Sequence, residues 1–255
     1  MASFTVSGIS LVMEIIPRIV KESIMSFEQT SHETTKLAGL IDHTILKPEA
    51  SRDDVARHCD EALEHGFASV CVNGVHAAFV AGRLKGSAVK TCAVLGFPLG
   101  ASGAESKARE ASALVEAGVD ELDMVLDIGA LREGDLARVE ADIRAVRAAC
   151  PGKVLKVILE TALLDDAQKE AACRIAAEVG ADFVKTSTGF STAGATIDDV
   201  KLMRRIVGDA LGVKASGGIR DAETALAMVE AGASRIGASA SVAIVSGLDE
   251  TSAGY

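Results

Sequence analysis

Four stretches of this chain share one grammar. LEHGFASVCVN, VEAGVDELDMVL, AEVGADFVKTS and VEAGASRIGAS each close a helical run at a glycine, pass a small or apolar residue, and open a short apolar run. The glycines are Gly66, Gly118, Gly180 and Gly232, each suited to the left-handed position that ends a helix. They are 52, 62 and 52 residues apart. Half of such a spacing is about one strand plus one helix, which places a further unit between each marked pair. Apolar runs then predict strands near 38–43, 68–73, 89–97, 120–127, 153–159, 182–187, 212–216 and 234–239. Ser51 with Asp54 and Thr196 with Asp199 are capping boxes opening two of the helices between them. Eight strand–helix alternations predict an α/β chain, a single-domain (β/α)8 TIM barrel. The alternative is a doubly wound sheet. It is weakened because no GxGxxG follows the first strand, and GFPLGASG at 96–103 lacks that spacing and reads as a βα loop.

The chain of 255 residues is 49% hydrophobic but only 3% aromatic, with no Trp and one Tyr. Val, Ile, Leu and Ala must fill the core, as suits helices packed on a parallel sheet. A net charge of −10 opposes nucleic acid and anionic membrane as partners, though not a small phosphate held locally. Five cysteines without a CxxC pair fit a reduced, cytoplasmic protein. Five histidines without HxH or HExxH predict no metal site. The start, MASFTVSGISLVMEIIPRIV, lacks a basic region, and Glu14 and Pro17 interrupt its apolar part, so it is neither signal peptide nor membrane span. Residues 1–36 read as an N-terminal extension, helical or poorly ordered, 37–248 as the barrel and 249–255 as a flexible tail.

In such a barrel the active site forms at the C-terminal ends of the strands. The residues expected there are Asp42, His43 and Thr44; Cys71 and Asn73; Asp123 and Asp127; Lys156 and Glu160; Lys185; and Lys214. SGG (Ser216–Gly218) and GASAS (Gly237–Ser241) follow the last two strands. Lys185 and Lys214 end or interrupt apolar runs on neighbouring strands. At about 6 Å, in an effective dielectric of about 20, two ammonium groups repel by about 2.8 kcal/mol. Burial acts in the same direction. One of the two is thereby favoured as a neutral amine, the form that attacks a carbonyl to give a Schiff base. Asp123 reads either as a proton relay holding Lys214 charged or as a buried ion-pair partner. The glycine loops supply amides for a phosphate at a helix N-terminus. Cys71 reads as a substrate contact or as inert core.

The motifs LAGLIDHTILKPEA, SVCVN, GFPLG, GVDELDMVLDIGALREGD, LKVILETALL, ADFVKTSTGF, VKASGGIRDAETA and RIGAS together resemble deoxyribose-phosphate aldolases of the class I type. The resemblance covers nearly all of the chain after residue 36, and KTSTGF with VKASGGIR is its most specific part. It implies a barrel without metal or cofactor that cleaves 2-deoxy-D-ribose 5-phosphate to glyceraldehyde 3-phosphate and acetaldehyde. Carried over position by position, Lys185 is the Schiff-base lysine, Lys214 lowers its pKa and Asp123 joins the proton relay. Asp42, Thr44, Cys71, Thr188, Gly189, Gly217, Gly218, Gly237 and Ser239 are the implied substrate and phosphate contacts. The terminal Tyr255 is implied in protonating the enamine. Phe190 stands where some relatives carry a lysine toward the phosphate, and Ala215–Ser216 replaces their Pro–Ala. The implied partner is a small phosphosugar, and a homodimer or higher homo-oligomer is compatible with the reading. Two rivals remain: a Schiff-base aldolase for another phosphosugar or keto acid, and a non-catalytic phosphosugar-binding barrel.

Overall fold

The computed structural model describes residues 36–247. Its eight strands are β1 Ile41–Ile45, β2 Ser69–Val72, β3 Lys90–Leu95, β4 Glu121–Val125, β5 Val154–Ile158, β6 Phe183–Lys185, β7 Gly212–Ser216 and β8 Arg235–Ala238. All run parallel, each bonded to the next, and β8 returns to β1 through Ile41↔Ile236, Asp42↔Gly237 and His43↔Ala238. This closure is the predicted barrel and removes the doubly wound alternative. The helices are α1 Arg52–His65, α2 Ala77–Leu84, α3 Ala104–Glu116, α4 Ile128–Glu133, α5 Leu136–Ala149, α6 Asp166–Val179, α7 Ile197–Val207, α8 Ala222–Glu230 and α9 Ser241–Ser246. No helix among the described residues is long and apolar enough to cross a membrane.

Period-two alternation sorts each strand. Ile41, Val70, Val72, Ala93, Leu95, Leu122, Met124, Leu155, Val157, Val184, Val213 and Ile236 are buried in one apolar cluster with the helices. Their alternates face the barrel interior, where the charged residues collect. The four marker glycines all have positive φ and end α1, α3, α6 and α8.

The differences from the predicted elements have local causes. β1 begins three residues later than expected, because a turn (Leu40 N–H to Leu37 O, 2.9 Å) tucks Leu37 and Ala38 into the core first. β6 is shorter than 182–187: Thr186 N still donates to Lys214 O at 3.0 Å, but the next bond of the ladder is taken by the Thr186 side chain, whose Oγ1 accepts from Ser216 N and donates to Ser216 O, both at 3.1 Å. Ser51 and Asp54 form the expected capping box. Thr196 makes only half of one, since the Asp199 carboxylate pairs with Lys169 of α6 at 2.6 Å. Asp127, expected at the mouth, caps the unforeseen α4 and pairs with Arg138. Residues 1–35 of the extension and the tail 249–255 with Tyr255 lie outside the described residues.

Candidate active site

Closing the barrel brings the inward-facing charges of six strands together around Asp123. Its Oδ1 accepts from Lys156 Nζ at 2.8 Å and from the Cys92 thiol at 3.2 Å. Its Oδ2 accepts from Lys185 Nζ at 2.8 Å and Lys214 Nζ at 2.7 Å. Register produces these contacts: Asp123 lies opposite Lys156, and Lys185 opposite Lys214. Lys214 also donates to Asp42, which accepts from Ser69 Oγ at 2.7 Å and Arg235 at 2.6 Å. Glu121 closes the cluster against Lys156 at 2.7 Å and Arg235 at 2.9 Å. Four cations thus interlock with three carboxylates, the lysines and carboxylates essentially buried.

Burial alone would neutralise these groups, and their mutual attraction outweighs it. For Lys214, burial pulls the pKa down, but Asp123 and Asp42 push it well above the ordinary lysine range. For Lys156, burial likewise acts downward and is overcome by Asp123 and Asp42. Burial would raise Asp123, yet Lys156, Lys185 and Lys214 hold it far below the usual carboxylate range. Asp42 is lowered in the same way, by Lys156, Lys214 and Arg235 against burial. This corrects the expectation of two lysines in bare repulsion. They do lie close, both within 2.8 Å of one oxygen, but a carboxylate stands between them and keeps Lys214 an ammonium.

Above the cluster opens a cavity of about 630 Å³. Lys185 is the one amine of the cluster that lines it. Of the residues predicted as contacts, Thr44, Thr188, Gly189, Gly217, Gly218, Gly237 and Ser239 line it too. Asp42 and Cys71 do not. Asp42 is fully buried beneath, engaged with Lys214 and Arg235, because its strand position points it into the charge layer. Cys71 is fully buried in an apolar group with Leu46, Cys92 and Val94. The adjoining Cys92 lowers the Cys71 thiol, while burial raises that of Cys92. Gly237 has a steric function as well. A Cβ there would stand 2.9 Å from Ser216 Cβ and 3.0 Å from Lys214 Cε.

The loops after β6 and β7 meet through glycines. A Cβ on Gly194 would fall 2.1 Å from Gly217 O, so only glycine permits this approach. Phe190, half exposed at the mouth, sets its ring edge-on to Phe97 from the loop after β3, with centroids 5.3 Å apart. Asn73 faces inward to the backbone, donating to Leu46 O at 3.0 Å.

Three side-chain groups among the described residues have metal-ligand proximity. Cys71–Cys92–Asp123 and Asp42–Cys92–Glu121 lie within the cationic cluster, whose ammonium and guanidinium groups already occupy the carboxylates. The third is His43, His58 and Glu61. There the imidazoles are stacked, centroids 4.3 Å apart and planes 14° apart, so their in-plane lone pairs do not converge. Burial, then His43, lowers the His58 pKa to about 4.

Glu121 and Arg235 were not named from sequence, and Lys156 was placed at the mouth without a role. Each shares the inward period of Asp123, Lys185 or Lys214, and that parity was the available signal.

A closed parallel barrel with a buried lysine–carboxylate cluster, one lysine of which opens onto a cavity, defines a lysine-bearing (β/α)8 barrel enzyme. Relatives narrow the class. The chain belongs to the DeoC/LacD family aldolases, whose pattern matches residues 36–252. It is 56% identical over 215 residues to a deoxyribose-phosphate aldolase of Brevibacillus brevis, covering 84% of this chain and 97% of the relative. Over 219 residues it is 58% identical to the corresponding aldolase of Rhodospirillum rubrum, covering 86% and 92%. The tetrameric deoxyribose phosphate aldolase of Aeropyrum pernix superposes with a TM-score of 0.76 at 35% identity, covering 86% of this chain and 94% of the other.

Proposed function

We propose that this chain is a class I deoxyribose-phosphate aldolase. It reversibly cleaves 2-deoxy-D-ribose 5-phosphate to D-glyceraldehyde 3-phosphate and acetaldehyde through a Schiff base on Lys185. The observation that carries the choice of lysine is access. Among the three cluster lysines, Lys185 alone lines the cavity, and Lys156 and Lys214 are held as ammonium ions behind it.

The neutral amine adds to the C1 aldehyde of the open-chain sugar, and loss of water gives a protonated imine. As the C2–C3 bond breaks, its electrons pass into the imine to form an enamine. A base removes the proton of the C3 hydroxyl, and Asp123 with Lys214 supports that transfer because both meet Lys185 at Asp123 Oδ2. Protonation at carbon and hydrolysis release acetaldehyde and free Lys185. We assign Tyr255 to the carbon protonation on the family resemblance. Tyr255→Phe should keep its melting temperature and substrate trapping while slowing exchange of acetaldehyde methyl protons with deuterated solvent. The imine serves as electron sink, so activity is expected to survive exhaustive chelation, and a loss restored by zinc would contradict this.

The amides around Gly189, Gly217 and Gly218, with Ser239, support binding of the phosphate end. Five free, buried cysteines support a reducing, cytoplasmic setting, and the tetramer of the Aeropyrum pernix protein supports a homo-oligomer. Borohydride with substrate tests the reading. Inactivation should accompany the reduced adduct's mass on the peptide containing Lys185, and label on Lys214 or Lys156 would refute it.

A further inference from the structure

Glu160 stands just beyond β5 in a conformation that its side chain disfavours. Its φ of 60° and ψ of 61° are left-handed, and no other non-glycine residue among those described has positive φ. Such a conformation is unfavourable for a residue with a Cβ and persists only where surrounding contacts enforce it. Here the backbone on both sides is tied to β6: Leu159 N donates to Lys185 O at 2.9 Å and Thr161 N to Thr186 O at 3.0 Å. The carboxylate is 2% exposed, and no cation among the described residues pairs with it.

It is spent instead on Thr188. Both carboxylate oxygens accept from Thr188 N, at 3.4 and 3.3 Å, and Oε2 also accepts from the Thr188 hydroxyl. That hydroxyl in turn accepts from Phe190 N at 3.0 Å. The Thr188 hydroxyl is therefore hydrogen-bonded within the protein, while the residue also lines the cavity. Two of the three amides of the turn Thr188–Gly189–Phe190 are held from below. The third, Gly189 N–H, has no acceptor among the described residues, and Gly189 lines the cavity beside Gly217.

We propose that Glu160 is a positioning residue that fixes the Thr188–Phe190 turn, so that Gly189 N–H points to an anionic group, the phosphate of the substrate. This rests on the aldolase reading above. Glu160 does not touch the reacting carbons. Its loss should weaken capture of the phosphate end and spare the chemistry at Lys185.

The test compares wild type, Glu160→Ala and Glu160→Gln on 2-deoxyribose 5-phosphate and on unphosphorylated 2-deoxyribose. For Glu160→Ala, KM for the phosphorylated sugar should rise about tenfold or more, the loss expected for charge-assisted hydrogen bonds. Its kcat, and its kcat/KM for 2-deoxyribose, should stay within about twofold of wild type. Inorganic phosphate should weaken as a competitor in parallel, and Glu160→Gln should recover part of the loss. Equal damage on both sugars, a fall in kcat alone, or no change would each overturn the proposal. Where Glu160→Ala fails to fold, Glu160→Gln must show the same split to a smaller degree. Absence of cleavage by wild type would refute the aldolase reading instead. The inference would then be decided by inorganic phosphate binding, which Glu160→Gln must weaken.

Discussion

Asp123 shows how much one side chain can organise. Its two oxygens accept from three ammonium groups and a thiol, with no water needed to complete the set. Asparagine has the same shape but turns one acceptor into a donor facing ammonium groups. Asp123→Asn is therefore expected to cost about 3–5 kcal/mol of stability, the usual penalty for breaking a buried charged network. Turnover should fall by about a hundredfold or more as Lys185 and Lys214 lose their shared acceptor. Denaturant melts and initial rates read the two losses separately. The direction with pH follows from linkage. Asp123 and Asp42 are lowered on folding, so their stabilisation is complete above the unfolded carboxylate value, about pH 4, and drains away as pH falls toward their folded values. Lys156 and Lys214 are raised, so theirs is complete below about pH 10 and is lost only as pH climbs beyond it. The cluster's contribution to the melting temperature should be level between those limits. In Asp123→Asn the acid-side slope should shrink, and an unchanged slope would place the acid transition elsewhere.

Between neighbouring elements, space decides as much as charge. Gly237 on β8 clears room for the Lys214 stem on β7 and for Ser216. Gly237→Ala should cost about 1–3 kcal/mol through overpacking. Its activity should fall further than its stability predicts, because Lys214 must move off Asp123. A crystal structure of the variant with Lys214 in place would dispose of this. The same pair of strands marks where sequence reading succeeds and stops. Lys185 and Lys214 were visible because each interrupts an apolar run, and Asp123 because it repeats that anomaly on β4. Glycines ending α1, α3, α6 and α8 announced the alternation before any strand was assigned. Glu160 could be named but not understood, since its meaning lies in a backbone angle and in Thr188, 28 residues away. Arg235 and Asp42 lie 193 residues apart and meet only when β8 joins β1. Local pattern carries parity and periodicity, but barrel closure alone decides which inward residues become neighbours.

Across the whole molecule, two properties that seem unrelated combine. The core is built almost without aromatic rings, and the chain contains no tryptophan. At the cavity mouth the half-exposed Phe190 bridges two loops through its edge-on contact with Phe97. A tryptophan at position 190 would thus be the only indole in the protein, sitting within the turn held by Glu160. Phe190→Trp should emit one signal against a dark background, excited where the rest of the chain barely absorbs. Inorganic phosphate or substrate titrated into it should shift that emission along a single saturable curve, and in Glu160→Gln the midpoint should move to higher concentration. An unresponsive emission would mean that the mouth does not sense what the cavity holds. A responsive one gives an optical channel for timing the arrival of the phosphate end separately from covalent capture at Lys185.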